Sequence, residues 1–442
     1  MRNRKGLNVL LITIDTLRYD YLGYSRNYQD TMTPFLDELS RDGLTYKWAF
    51  SSGTGTPFAF PGILASQYAS QKKSPGLLGV KFTFASLMKK MGYRTFGFNG
   101  GNMYLSDFYG YNNGLDFLEE KFISRTQKNK IRKKIKNILK TLGLLNFAIK
   151  IYDRFSVFYK YILKTQTKIL TSEKQFTRFL ELVSTNEKFF VWFNLMEVHG
   201  PYWGLWESSL LERMKMAEYF RKRFYYKKDD LVSIGIKFYS KALRLLDSKL
   251  EKFFNLLDKK GLLNDTLVII TSDHGEEFFE HGGYDHKPKP YDEIIRVPII
   301  IYKKNENFSR VEKEKESEKL VSLVDLAPSI SQYLFGYYPK NFFIGKPTIL
   351  GGNFERDYII AEGYQKKDDE YLLHDPTKQG IRNWCIRTKT WKYMELNGKK
   401  MFFDLVKDPK EKNPIFPDKY IDNVREYLKD WQREIIKRKL QI

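Results

Sequence analysis

The sequence predicts an α/β protein: a doubly wound, mostly parallel sheet flanked by helices, with a small α+β domain after it. Two observations carry that expectation. Short β-branched and aromatic runs alternate with stretches whose apolar residues recur at helical spacing, the rhythm of parallel strands joined by crossover helices. After about residue 355 the texture changes to short strands in succession, namely YIIAEG, NWCIRTK, WKYMEL and KMFFDL, followed by an amphipathic helix from Asp418.

In chain order, strands are expected over Asn8 to Asp15, Tyr93 to Asn99, Lys188 to Met196, Thr266 to Ser272 and Arg296 to Tyr302. Helices are expected over Pro34 to Asp42, Phe82 to Met91, Ile234 to Lys260 and Ser322 to Phe335. At roughly 150 residues per domain, 442 residues allow about three domains, or one large domain with a small companion. The change of texture favours the second division, with a catalytic domain over 1–355 and a small domain over 356–442.

Composition removes several classes. Hydrophobic content of 42% with 16% aromatic residues excludes disorder over most of the chain. A single cysteine, Cys385, excludes an internal disulfide framework and a cysteine-based zinc site. The start, MRNRKG followed by NVLLITIDT, lacks the long apolar stretch and cleavage site of a secretory signal and reads as a buried first strand. Apolar runs such as FFVWFNLM at 189–196 fall short of the ~20 residues that cross a bilayer. A cytoplasmic protein is therefore expected, peripheral at the inner face of the membrane if the basic segment described next engages lipid.

Lys and Arg number 75 against 53 Asp and Glu, a formal charge of +22. Residues 121–170 hold fourteen of those bases and one acid, Asp153, which places +13 of the excess in a fifty-residue insert. Ile131, Ile135, Ile138, Leu139 and Leu142 recur there at helical spacing, and Ile151, Phe155, Phe158, Tyr159 and Ile162 repeat the pattern. Two basic amphipathic helices suit either a solvated surface or an anionic membrane surface. No groove-reading motif accompanies them, so nucleic acid is not an expected partner.

The chemistry gathers at two strand ends. Asp15 closes LLITID, and Asp273 closes LVIITSD with His274 directly after it. Ligands of open α/β sheets collect beyond the carboxyl ends of strands, so these segments can bring two carboxylates and an imidazole to one point. That donor set suits a divalent metal, although a strand-end Asp also serves as a helix cap. Between them, SSGTGTPFAFPGILASQ at 51–67 offers small hydroxyls ahead of a helix start, either a nucleophile beside an anion-stabilising helix end or an ordinary Ser/Thr/Gly loop.

The order NVLLITIDTLRYDYLG, TPFLDELSRDGLTYKWAFSSGTGTPFAFPGILAS, FNLMEVHGPY, SDHGEEFFEHGGYDHKPKPYDEIIRVPIII, SLVDLAPSI and WKYMELNGKKMFFDLVKDPKEKN resembles the sulfatase family of the alkaline phosphatase superfamily, over nearly the whole chain except the insert. The resemblance implies the alkaline phosphatase-like α/β fold, a small C-terminal domain around a short antiparallel sheet, and metal-dependent cleavage of sulfate or phosphate esters. It implies one divalent ion (Zn, Mn or Ca) held by Asp15, Thr56, Asp273 and His274. Thr56 takes the position of the family's nucleophilic cysteine, with Thr54 as the alternative two residues earlier. His199 and Lys287 match catalytic positions of the pocket, and Asn102 and His286 match substrate-binding ones.

Three departures qualify the resemblance. Thr16 replaces the second acid of the family's Asp-Asp pair, Thr56 replaces the cysteine that becomes formylglycine, and Phe60 replaces the arginine of C-x-P-x-R. Threonine cannot expel sulfate by re-forming an aldehyde. The implied enzyme is accordingly a hydrolase with a threonine nucleophile acting on an anionic ester, such as a sulfated or phosphorylated glycan or lipid headgroup. Its alternatives are a phosphoryl-group transferase to an alcohol acceptor and a catalytically degenerate anion-binding protein.

Overall fold

The structure is a computed structural model that describes residues 6–28, 31–71, 76–120, 170–184, 186–225, 231–306, 308–365, 381–415 and 421–439. The basic insert expected over 121–170 lies outside the described residues except for Leu170. The strands, in chain order, are β1 (Asn8–Ile14), β2 (Leu44–Thr45), β3 (Trp48–Phe50), β4 (Arg94–Asn99), β5 (Phe117–Glu120), β6 (Phe189–Leu195), β7 (Thr266–Thr271) and β8 (Glu277–Phe278). They continue with β9 (Tyr284–Asp285), β10 (Ile299–Tyr302), β11 (Leu320–Ser322), β12 (Ile359–Gln365), β13 (Ile381–Arg387), β14 (Trp391–Leu396) and β15 (Lys399–Asp404).

Seven strands form the main sheet in the order β2-β10-β7-β1-β6-β4-β5. β1 runs parallel to both β6 and β7, β6 to β4, and β4 to β5. Only the β10 and β2 edge is antiparallel. The sheet is thus mixed and mostly parallel, as expected.

Alternation along β1 shows how one strand serves two cores. Leu10, Ile12 and Ile14 enter one cluster with the helices Ser172–Leu182 and Val232–Lys259, where Phe176 stacks on Phe253 at 3.9 Å. Val9 and Leu11 enter the opposite cluster with the helices Thr56–Ala65, Phe84–Lys90 and Leu326–Phe335. Burial on both faces is why the strands read as continuous apolar runs.

The long helix Val232–Lys259 does more than cover the sheet. Its buried Asp247 accepts the Phe35 and Leu36 N–H groups at 3.0 and 2.9 Å, capping the helix Pro34–Asp42, whose own Thr33 makes no side-chain cap. Elsewhere the strand expected from Arg296 begins only at Ile299. Arg296 N–H instead closes the turn Asp292–Ile295, and Pro298 has no N–H to give the ladder. The helix expected from Ser322 starts as a 3₁₀ turn, Leu323–Asp325, before Leu326–Phe335.

The C-terminal strands β12 to β15 form an antiparallel meander, and the last helix spans Ile421–Lys439. The meander touches the site region directly: Gly53 bridges Glu362 on β12, and Lys392 on β14 pairs with Asp292 at 2.7 Å. Among the described residues no helix is long and apolar enough to cross a membrane.

Candidate active site

Because β1 and β7 are parallel neighbours, their carboxyl ends deliver Asp15 and the pair Asp273–His274 to one place. Ser272 ties the two ends together: its Oγ accepts the Leu17 N–H at 2.9 Å and lies 2.8 Å from the Ile14 carbonyl. Thr16 follows Asp15 in a left-handed conformation, φ 63°, unusual for a β-branched residue, and gives its N–H to Asp273 Oδ1 at 3.4 Å. The backbone turns sharply where the family places its second acid.

Thr56 is the first residue of the helix Thr56–Ala65. Its Oγ1 donates to Asp273 Oδ2 at 3.0 Å and stands 3.4 Å from His274 Nε2. Asn102, in the turn after β4, spans the site by donating to Asp15 Oδ2 at 2.8 Å and Thr56 Oγ1 at 3.1 Å. Thr54 lines the same pocket, but its Oγ1 is buried without a hydrogen-bond partner and makes no bond to either carboxylate. Of the two threonines, Thr56 is the one at the acids.

Electrostatics give the cluster its character. Burial and the nearby Asp273 push the Asp15 carboxyl well above the usual range, and burial raises Asp273 to about 6. His274 is pushed down to about 3 by burial, so its imidazole is neutral. Its Nδ1 lies 2.9 Å from the Gly275 carbonyl, which only accepts, so Nδ1 carries the proton and Nε2 turns a lone pair toward Asp273 Oδ2, 3.3 Å away. Asp15 Oδ1 is buried without a hydrogen-bond partner, with His274 Nε2 3.8 Å away.

Three groups with lone pairs facing one another, each offering a ligand atom within 4.8 Å of the others, repel unless a cation lies among them. Two carboxylates and an imidazole fit a divalent metal on that ground. A second acid–histidine group, Glu277, His281 and Glu293, differs. Lys289 already neutralises Glu277 at 3.0 Å, and His281 bonds Glu293 at 2.5 Å and the Glu411 carbonyl at 3.1 Å.

A cavity of about 300 Å³ opens above Thr56. His199 and His286 line it with Asn102, and their rings lie 5.1 Å apart. His199 Nε2 is 4.0 Å from Asp15 Oδ1, while its Nδ1 donates to the Gly200 carbonyl at 2.6 Å. Burial lowers both imidazoles, His286 the further.

Lys287 stands outside the pocket lining. Its side chain is exposed, and the residues of that loop that line the pocket are its neighbours His286 and Pro288. His286 lines the pocket and follows Asp285, whose φ is positive at 67°. Phe60 also departs from the family role: it is fully buried against Trp192 and Tyr111, at 5.5 and 6.2 Å, as part of the core. Sequence reasoning missed the aromatic wall of the pocket, Phe58, Tyr104 and Trp203, because aromatic residues are spread through the whole chain.

A hydroxyl beside buried acids, at the carboxyl ends of a mostly parallel sheet and the start of a helix, defines an ester-cleaving enzyme of the alkaline phosphatase type. The sulfatase family profile matches residues 7–337, and the chain belongs to that family. It is 23% identical to an arylsulfatase of Clostridium perfringens over 98% of this chain and 94% of that protein. It is 26% identical to an N-acetylglucosamine-6-O-sulfatase of Bacteroides thetaiotaomicron over 48% of this chain and 37% of that one.

Two solved structures share the fold. One was determined in complex with D-glucosamine-2-N,6-O-disulfate, with a TM-score of 0.66, 16% identity and coverage of 98% and 99% of the two chains. The other is the phosphonate monoester hydrolase of Agrobacterium radiobacter, with a TM-score of 0.64, 17% identity and coverage of 98% and 96%. The chain is a sulfatase-family ester hydrolase.

Proposed function

We propose that this chain is a metal-dependent ester hydrolase whose nucleophile is Thr56, acting on a sulfate, phosphate or phosphonate ester of a glycan or lipid headgroup. The observation that carries the reading is the contact set of Thr56 Oγ1: Asp273 at 3.0 Å, Asn102 at 3.1 Å and His274 at 3.4 Å. Asp15, Asp273 and His274, with Thr56 beside them, would hold one divalent ion. Such an ion, when bound, supplies Lewis-acid polarisation of the ester and lowers the pKa of a bound hydroxyl.

The remaining steps belong to the protein's own groups. The start of the helix Thr56–Ala65 and the Asn102 amide favour an anionic ester in the pocket. Thr56 Oγ1 attacks sulfur or phosphorus in line with the leaving alcohol, and its proton passes to Asp273 Oδ2. Burial keeps His199 and His286 neutral in the free protein, and the bound anion favours their charged form. One of them then gives the leaving oxygen its proton. In the second half, water or a second alcohol loses a proton to that histidine, its oxygen displaces Thr56, and Thr56 recovers a proton from Asp273.

The +13 of residues 121–170 supports peripheral attachment of the enzyme to an anionic membrane surface, which sedimentation with anionic liposomes at low salt tests. The main test is a panel of sulfate monoesters, phosphate monoesters and phosphonate esters, run with Zn, Mn and Ca on wild type and Thr56→Ala. A phospho- or sulfo-threonine at Thr56 in acid-quenched wild type is the expected result. Undiminished turnover by Thr56→Ala would overturn the reading.

A further inference from the structure

We infer that Arg223 is a positioning residue that fixes His286, and with it the proton-carrying side of the pocket, through Asp285. The inference rests on the proposed role of His286 for its catalytic meaning, but its structural content stands alone. His274 and His199 each have an orienting bond from Nδ1 to a backbone carbonyl, those of Gly275 and Gly200. His286 has none at Nδ1, which is buried without a partner. Its ring is held by position only, 4.4 Å from His274 and 5.1 Å from His199.

The position of that ring therefore depends on the backbone that delivers it. Asp285, the residue before it, adopts the left-handed conformation that L side chains seldom take. The Arg223 guanidinium, buried on the helix Leu210–Tyr225, donates to Asp285 Oδ1. Arg223 is itself fixed by the ring faces of Phe220 at 4.5 Å and of Tyr219 and Tyr284 at 5.6 Å.

The same carboxylate lies beside the turn that follows the second histidine. A methyl group on Gly200, whose carbonyl orients His199, would meet Glu276 Oε1 at 3.6 Å and Asp285 Oδ1 at 3.7 Å. Through Asp285, one guanidinium outside the pocket is thus linked to the turns that carry both of its histidines. A helix side chain acting through Asp285 sets what the loop cannot set by itself.

The test uses the full chain loaded with its metal and compares Arg223→Met, Arg223→Lys, Asp285→Asn and the double variant Arg223→Met with Asp285→Asn against wild type. The chain has five histidines, so its imidazole NMR spectrum can be assigned. In Arg223→Met and Asp285→Asn the His286 resonance should shift or broaden, while that of His281, stacked on Tyr291 at 3.5 Å outside the pocket, stays. On an aryl ester, kcat should fall about tenfold or more with KM within about threefold, and millimolar guanidinium should restore part of it to Arg223→Met only. An unmoved His286 resonance, or a loss of kcat with no rescue and no coupling between the two substitutions, would overturn the inference. If wild type turned over no ester while the resonance still moved, the proposed reaction would fail and the positioning would stand.

Discussion

Two buried clusters of charged residues lie on either side of the loop 284–296, and they are built on opposite plans. At the site, Asp15 and Asp273 face each other and a neutral His274, with Asp15 Oδ1 unbonded, and burial pushes both carboxyls up. Behind the loop, Asp292 and Glu411 meet Lys392 and Arg387, two acids against two bases, with Lys392 at 2.7 Å from Asp292 and 2.5 Å from Glu411. Despite burial, Arg387 and Lys392 hold Asp292 below the usual carboxylate range, while burial raises Glu411 to about 7 against the pull of Lys392. Compensated charge joins the C-terminal meander to the main body, whereas uncompensated charge lies at the place proposed for a cation and an ester.

The largest effect should separate the two clusters by kind. Thr56→Ala removes a neutral hydroxyl from the uncompensated cluster, so turnover should fall roughly 10³-fold or more while metal content and melting temperature stay within about 2 °C of wild type. Steady-state kinetics beside elemental analysis and calorimetry check it. Lys392→Met does the reverse: it leaves Glu411 buried without its base and Asp292 with Arg387 alone, a loss of about 3 kcal/mol in denaturant titration. Little loss of stability there would break the comparison.

A third effect concerns pH and metal together. Asp273, at about 6 in the folded protein against its ordinary 3.8, binds a proton more readily folded than unfolded. In the metal-free protein this group should therefore contribute a gain on the order of 3 kcal/mol as pH falls from about 6 toward 4, opposed by His274, whose value of about 3 against an ordinary 6.5 removes stability over the same window. Melts of chelator-treated wild type and Asp273→Asn across that window isolate the Asp273 share: wild type should gain relative to the variant as pH falls. The smallest effect sharpens the contrast with solvated charge: Lys47 and Glu318 pair at 2.6 Å with each about half exposed, and Lys47→Ala should cost about 0.5 kcal/mol or less.

How much of this was legible in the sequence follows the same divide between patterned and solitary features. The five expected strands all appear, because burial on both faces leaves a continuous apolar run. β2 and β5, at two and four residues, are too short to leave one. Asp15, Asp273 and His274 were legible because each closes an apolar run. Thr56 and Asn102 came from motif order, and the structure brings both to the acids.

Nothing in the sequence separates Lys287, whose side chain is exposed, from its neighbour His286, which lines the pocket. Arg223 was not legible at all. It sits on a different helix, 62 residues before its partner, and surface arginines of the same composition surround it.

The buried Phe60 bears on how this chain could be matured. Formylglycine enzymes carry an arginine four residues after their cysteine, and here that place is filled by a ring wedged between Trp192 and Tyr111. Restoring the family pair by combining Thr56→Cys with Phe60→Arg would drive a guanidinium into an apolar layer without an acid to receive it. The way back to an aldehyde cofactor therefore runs through the core and not through the active site: the aromatic layer would have to be rebuilt before the nucleophile could be changed.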